Sequence, residues 1–384
     1  MEEAKTKGQK IKELFITTLN GMAYGLFTTL IIGTIIATIG SFFKDASSGF
    51  GSFMYEILGE GQQGLSYVLQ MLTGAGIGVG MALAMKLTAL QTVIVGAAGQ
   101  TAAYFSLTTK FVTLSNHPYL NMIKVGDPLT IYFVCLGVVL FFKYVLTKKT
   151  SADIILVPLA GAFAGLLLSL GLRYPLIYVT YAIQWLVNAG TTATPFVMGI
   201  VVAVLMGMAL TAPISSAAIA AMIFVLPSGM SVAAALADPE YAGLVIASGA
   251  AVVGCSTQMI GFAVQSRKDN KVSMVISVGI GTSMLQFKNI IKKPVIWLPT
   301  IITSAILGPI ATCLIKIYCP GSSAGMGTAG LVGQIGTISG TGVGAWQTWV
   351  GIFGLQIIAP AILVFLLDLL FRKQGWIKEG DLKI

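Results

Sequence analysis

Amide and hydroxyl side chains lie among glycines in two stretches of the chain, VSMVISVGIGTSMLQFKNIIKKP (residues 272–294) and CPGSSAGMGTAGLVGQIGTISGTGVG (residues 319–344). Amides and hydroxyls donate and accept hydrogen bonds without carrying charge, so they suit a polyhydroxylated ligand in a buried site. Two further amides lie in glycine-rich apolar segments elsewhere. The predicted substrate-binding residues are Thr282, Ser283, Gln286, Asn289, Gly325, Gly327, Thr328, Gln334, Gln100 and Gln258.

Other chemistries have little support in the sequence. General acid/base or nucleophilic catalysis needs paired carboxylates or a histidine-centred group. The chain has one histidine, His117, in a predicted external loop, and 14 carboxylates that mostly lie near span ends or in loops. Its four cysteines show no metal-ligand spacing. We predict no catalytic residue, metal site or cofactor. The sequence leaves open whether the protein belongs to an enzyme, in which it would at most be the membrane subunit.

Lys86 is an exception among the charged residues, because no other residue between Glu60 and Lys110 carries a charge. A buried cation there would bind an anionic substrate. Alternatively, Lys86 marks a tight cytoplasmic turn between two spans and extends its side chain to the surface. Asp368 has Arg372 four residues on, a spacing that predicts an ion pair on one helix face.

The composition predicts a membrane protein, since 56% of the residues are hydrophobic and 10% are charged. The net charge of +9 lies in short clusters between apolar spans, a pattern typical of membrane topology rather than of nucleic-acid binding. Irregular backbone is tolerated at membrane depth only inside protein or beside a wet cavity. The two glycine-rich stretches, which flank an apolar span at 295–317, therefore predict re-entrant hairpins facing a polar solute. The alternative is that these glycines only permit close helix packing.

We predict an all-α polytopic fold of about ten transmembrane helices plus re-entrant hairpins, with both termini cytoplasmic. Residues 1–14 form a cytoplasmic segment, 15–372 one transport domain with halves at 15–150 and 151–372, and 373–384 a cytoplasmic tail. Clusters of lysine and arginine should lie on the cytoplasmic side. This placement requires that one of the three segments 176–187, 196–210 and 214–226 does not cross the membrane, and 214–226 is the best candidate. GMAL recurs at Gly80 and Gly207, which indicates an inverted repeat of about five spans, although coincidence explains four shared residues equally well.

GTSMLQFKNIIKKPVIWLPT, LGPI and AGMGTAGLVGQIGT together resemble the enzyme IIC (EIIC) family of the bacterial phosphoenolpyruvate-dependent phosphotransferase system. The same family includes membrane proteins named as toxin-production regulators in clostridia. The resemblance implies a multi-pass permease of the bacterial plasma membrane, a homodimer whose sugar is phosphorylated by a separate IIB protein at the cytoplasmic face. No IIA or IIB domain is recognisable in the sequence. In the better-known sugar-specific branch of the family a glutamate binds the sugar, whereas no glutamate of this chain lies convincingly within a predicted hairpin.

Three functions follow as hypotheses. The first is an EIIC-type permease that moves a sugar or sugar-like solute inward between residues 281–289 and 325–334, with phosphorylation by IIB and IIA proteins if transport is coupled. The second is an ion-coupled or facilitative carrier of a small anion that uses Lys86. The third is a membrane sensor without net transport.

Overall fold

The structure is a computed structural model that describes residues 7–41, 43, 49–58, 64–107, 126–147, 150–212, 216–226, 230–319 and 321–384. His117 lies outside these residues. Regular structure in the described parts is helical, with no strand, in agreement with the predicted all-α class. The chain divides into two compact units, Met1–Tyr181 and Ala182–Ile384, so the division falls about thirty residues after the predicted boundary at 150/151.

Unit 1 contains seven α-helices and most of an eighth among its described residues: α1 Lys7–Leu26, α2 Ile32–Ser41, α3 Gly49–Leu58, α4 Leu65–Met71, α5 Thr73–Ala84, α6 Ala89–Leu107, α7 Pro128–Tyr144 and α8 Asp153–Ala193, inside which the unit ends. A π-helical turn, Phe27–Ile31, joins α1 to α2. Helix α7 begins as its sequence dictates, because the Asp127 carboxylate accepts the Thr130 N–H and Pro128 needs no acceptor.

Unit 2 continues with α9 Pro195–Thr211, α10 Ser216–Ile223, α11 Val232–Ala237, α12 Ala242–Ser266, α13 Val272–Ile276, α14 Phe287–Lys292, α15 Leu298–Pro309, α16 Val332–Thr341, α17 Trp346–Trp349 and α18 Ala359–Lys373. Three π-helical segments, Ser277–Gly281, Ile310–Ile315 and Val350–Ile358, and four 3₁₀ turns, Ser283–Gln286, Pro294–Trp297, Gly321–Gly325 and Ala329–Leu331, interrupt them. Helix α12 is the centre of unit 2, with 21 of its 25 residues buried.

By length and apolarity, the described residues contain five helices that could cross a membrane, or seven if each of two bent pairs is one span. Helices α7 and α9 have 17 residues each, at the short end of what crosses the hydrocarbon core. The predicted total of about ten is not confirmed, and neither is the inverted repeat. Helix α10 has eight residues, too few to cross, as expected for the segment 214–226.

Helix α8 runs through Arg173 without a break. Arg173 is 4% exposed. Its Nη1 donates to the carbonyl oxygen of Phe105 at 3.2 Å, and its guanidinium lies over the Tyr174 ring. These contacts hold the guanidinium inside unit 1.

Candidate functional site

The first glycine-rich stretch is broken where the sequence predicts. Val272–Gly281 and Ser283–Lys292 form two arms that meet at a bend of 119°. At the bend Thr282 is extended (φ −162°), and its hydroxyl accepts the Met284 N–H at 3.2 Å. We call this element the hairpin, with an inner arm before Thr282 and an outer arm after it.

The hydroxyl of Ser283, fully buried at this bend, lies 2.9 Å from that of Thr211 at the end of α9. Thr211 Oγ1 also donates to Oε1 of Gln258 on α12 at 3.3 Å. Thr211, Gln258 and Ser283 therefore form a chain of neutral polar groups that joins the bend to the two most closely packed helices of unit 2. We call it the polar cluster.

Gln258 makes its polar contacts through Oε1. Besides Thr211, its Oε1 accepts from Trp297 Nε1 and from Thr300 Oγ1, both at 2.9 Å. Because the indole nitrogen can only donate, the atom facing it must be the amide oxygen. The Gln258 amide nitrogen is left buried without a partner among the described residues. A buried donor without an acceptor costs about 1–3 kcal/mol, so this position favours a ligand that can accept a hydrogen bond.

Glycines bring Gln258 close to α9. A Cβ placed on Gly254 would lie 1.9 Å from the carbonyl oxygen of Ala203, and one on Gly207 would lie 2.7 Å from that of Gly254. Only small residues allow two helix backbones to approach this closely. Gly207 and Gly254 therefore serve close helix packing, whereas glycines of the stretch 272–294 lie in broken backbone.

The second glycine-rich stretch is also irregular, with positive φ angles at Gly327, Gly330 and Leu331. It contacts the first, because Thr328 Oγ1 donates to the carbonyl oxygen of Gly279 in the inner arm at 2.5 Å. Gly327 packs on α12, where a Cβ would lie 2.7 Å from the backbone nitrogen of Ser256. The two stretches predicted to form one site therefore do meet.

Two other predicted residues of this stretch bond to its surroundings. The carbonyl oxygen of Gly325 accepts from Ser216 Oγ on α10 at 2.6 Å. Gln334 Nε2 donates to Gln356 Oε1, and Gln356 Nε2 donates to Thr337 Oγ1, both at 2.8 Å. Gln356 lies in the π-helical segment Val350–Ile358 and is fully buried. Within the described chain, Gln334 Oε1 is buried and unpartnered, so this chain of amides offers an acceptor.

The side-chain amides of Gln286 and Asn289 are already hydrogen-bonded outside the polar cluster. Gln286 Nε2 donates to the carbonyl oxygen of Leu382 at 2.9 Å, and Asn289 Nδ2 donates to that of Lys383 at 3.0 Å and to Gln286 Oε1 at 2.9 Å. Both side chains thus hold residues near the end of the chain. A role for them in solute binding remains a prediction, and it requires these bonds to break.

Gln100 and Lys86 belong to unit 1. Gln100 spans the 55° bend between α4 and α5, donating to the Met71 carbonyl oxygen and accepting the Ala75 N–H. Lys86 is exposed, with φ +58°, in the turn between α5 and α6. Its position agrees with a tight turn. Anion binding by Lys86 remains a prediction.

Sequence reasoning missed Thr211, Trp297, Thr300 and Gln356. Three of them had a local signal in the sequence: Thr211 directly follows the second GMAL motif, and Trp297 and Thr300 lie at the start of the apolar span. Buried hydroxyls without a partner in the described structure, Ser256 and Thr257 on α12 and Ser304 on α15, add polar atoms to the helices around the cluster. None of the described residues forms a group of three or more His, Cys, Asp or Glu able to hold a metal ion.

A small pocket lies elsewhere in unit 2, lined by Phe224, Leu226, Val232, Leu244, Val245, Ser248 and Tyr318. Its mainly apolar walls do not suit a polar solute. We therefore assign the candidate site from its hydrogen-bonding groups rather than from this pocket.

Comparison with protein families gives a match to the model described as "Phosphotransferase system, EIIC" over residues 16–384. Comparison with curated proteins gives no match. The matched region includes the hairpin, the second glycine-rich stretch and the polar cluster, and it covers nearly the whole chain. The chain belongs to the EIIC family of the phosphotransferase system.

Proposed function

We propose that this EIIC protein binds a sugar or sugar-like polar solute at the polar cluster and moves it inward across the bacterial plasma membrane. Family membership supports a membrane permease component of a phosphotransferase system. The observation that carries the site assignment is the Gln258 amide nitrogen, a buried donor without an acceptor among the described groups, beside the bend of a broken helix.

The cluster suits a neutral polyhydroxylated ligand. A sugar hydroxyl accepts from Gln258 Nε2 and in turn donates to an oxygen such as Ser283 Oγ, so no buried charge is left unpaired. The remaining predicted residues, Thr282, Gly325, Gly327, Thr328 and Gln334, lie on the two stretches that meet through Thr328 and Gly279. They form the second part of the proposed site.

The proposal extends to the partners and topology implied by the family resemblance. The chain works as a homodimer with cytoplasmic termini, and a separate IIB protein phosphorylates the solute at the cytoplasmic face. The GMAL helices α5 and α9 are equivalent elements of an inverted repeat. In support, α5 packs against both α1 and α6, and α9 packs against both α12 and α15.

The test is equilibrium binding of radiolabelled hexoses, hexitols and pentitols to the purified protein, with Gln258→Met compared to wild type. Methionine keeps the side-chain length but removes both polar atoms. We expect affinity for the bound member to fall about tenfold, which corresponds to about 1.4 kcal/mol. The matched control is Gln91→Met, because the Gln91 oxygen accepts only the Thr88 N–H in an exposed turn of unit 1. That variant should bind as wild type does.

Thermal unfolding of both variants establishes that they are folded. Wild-type affinity in folded Gln258→Met would refute the site assignment. Failure of every solute to bind the wild-type protein would refute the permease proposal. Phosphotransfer is tested separately in proteoliposomes, where accumulated solute should appear as its phosphate ester only when phosphoenolpyruvate and the soluble phosphocarriers are supplied.

A further inference from the structure

Residues 375–384, which follow α18, pack against the hairpin, and we call them the strap. Two of its side chains are fully buried, Ile377 at 1% exposure and Leu382 at 0%. They belong to an apolar cluster with Phe262 of α12, Val278 of the inner arm, Ile290 of the outer arm, and Ile296. Both arms of the hairpin therefore share one small core with the strap.

On one side the strap is fixed to the loop after α12. Asp269 Oδ1 accepts the Gly380 N–H at 2.9 Å, and Asp269 Oδ2 accepts the Leu382 N–H at 3.2 Å. Asn270 Nδ2 donates to the Leu382 carbonyl oxygen at 2.7 Å. The Asp269 side chain is fully buried and also pairs with Arg372 of α18 at 3.3 Å. Arg372 fixes the position of the Asp269 carboxylate, and the two strap N–H groups bond to that buried charge. This attachment is therefore strong, since a hydrogen bond to a charged group contributes about 1.5–3 kcal/mol.

On the other side the strap holds the outer arm of the hairpin. Gln286 and Asn289 donate to strap carbonyls, as described above, and Lys293 Nζ lies 2.6 Å from Asp381 Oδ2. The side chains of this ion pair are 32% and 22% exposed. A partly exposed pair contributes only about 0–1 kcal/mol. The attachment to the hairpin is therefore the weaker of the two.

The Lys293–Asp381 contact is present at physiological pH. Burial acts to raise the pKa of Asp381, but it is outweighed by the Lys293 hydrogen bond, the Lys378 N–H and the charges of Lys293 and Arg372, so the pKa lies below its usual 3.8. A lowered carboxylate pKa gives stabilisation that is complete above the unfolded value and is lost only as the pH falls through the folded value. The contact should therefore not change between about pH 5 and 8.

From this asymmetry we propose that the strap is a latch on the hairpin. The Asp269 side stays attached, while the contacts to the outer arm break and re-form as the hairpin moves. The hairpin carries Ser283 of the polar cluster, so the latch controls access to that site; this last step rests on the proposed function. Residues 375–384 therefore act in gating and are not a passive tail.

Hydrogen–deuterium exchange of the full chain in nanodiscs tests the latch without any solute. Leu382→Asp places a charge in the shared apolar core and should release the strap. Amides of residues 282–293 should then exchange at least tenfold faster, while those of residues 247–259 in α12 keep the wild-type rate. Lys288→Gln is the control, because Lys288 is an exposed cation on the same arm and should change nothing. An unchanged rate at 282–293 in Leu382→Asp would overturn the proposal.

A second variant covers the case in which Leu382→Asp destabilises the whole unit. Lys293→Cys with Asp381→Cys, joined by a short reducible bis-methanethiosulfonate crosslinker, should hold the latch shut and slow exchange at 282–293 below the wild-type rate. Equal rates before and after crosslinking would count against the latch.

In proteoliposomes the crosslinked protein should retain solute binding and lose uptake, and dithiothreitol should restore uptake. Undiminished uptake in the crosslinked form would refute the gating role. A protein that binds no solute but shows the expected exchange rates would refute the proposed function and leave the latch standing.

Discussion

Gly254→Ala should separate α9 from α12 and disturb the polar cluster without touching it. The added Cβ would lie 1.9 Å from the carbonyl oxygen of Ala203 and 2.5 Å from its carbonyl carbon. An ordinary carbon–oxygen contact is at least about 3.3 Å, so the two backbones must move apart by roughly 1.4 Å. Neither contact is with a flexible side chain that could turn aside. The Thr211 to Gln258 bond, already 3.3 Å long, would be lost with this movement.

The net effect on stability has two opposing parts. Alanine in place of glycine in a helix stabilises by about 0.5–1 kcal/mol. Overpacking of a tight interface costs about 1–3 kcal/mol. Because both close contacts are with backbone, we expect the upper part of that range and a net destabilisation of about 1–2 kcal/mol. Thermal unfolding in detergent, followed by tryptophan fluorescence, measures it.

Gly171→Ala is the matched control, since a Cβ on Gly171, also inside a helix, has nothing within 4 Å. Its transition should stay at or slightly above that of wild type. Solute affinity should fall in Gly254→Ala and stay unchanged in Gly171→Ala. A transition temperature for Gly254→Ala equal to or above that of Gly171→Ala would refute the packing argument.

Two further substitutions test polar groups buried in unit 2. Asp368→Asn removes the carboxylate that pairs with Arg267 at 2.9 Å and Arg372 at 3.0 Å, and should lower stability by about 3 kcal/mol in thermal unfolding. Asp238→Asn is the comparison, because the Asp238 carboxylate accepts the Glu240 N–H, and this variant should have little effect. Equal transition temperatures for the two variants would show that the Asp368 ion pairs contribute nothing to stability. Gln356→Leu leaves Gln334 Nε2 buried without its acceptor and should cost about 1–3 kcal/mol by the same measurement. Gln347→Leu, half-buried nearby, is the comparison, and a loss of similar size there would contradict the argument.

The sequence located the broken backbone because its signals are local. Gly281 and Thr282 mark the hairpin bend, and the glycines at 327 and 330 mark the irregular second stretch. An apolar run likewise predicted the span Pro294–Ile315, with each end correct to within two residues. The Asp368 to Arg372 pair, four residues apart on one helix, is confirmed.

The remaining contacts depend on residues far apart in the chain. Leu382 and Ile377 lie in a short polar segment that reads as a tail, and nothing local shows that they fill the core beneath the hairpin. No local signal shows that Gln286 and Asn289 donate to carbonyl oxygens near the end of the chain, because these acceptors lie 96 and 94 residues away. Likewise, the carbonyl oxygen that Arg173 contacts belongs to Phe105, 68 residues away.

The π-helical segment Val350–Ile358 has a consequence for relatives of this chain. An ordinary α-helix turns about 100° per residue, so removing one residue before Gln356 would straighten the segment and rotate Gln356 away from Gln334. A relative with a one-residue gap at this place should therefore have lost the paired glutamines, while one that keeps both should also keep the extra residue. An alignment gap confined to these nine positions would thus mark the loss of the glutamine pair rather than a neutral difference in length.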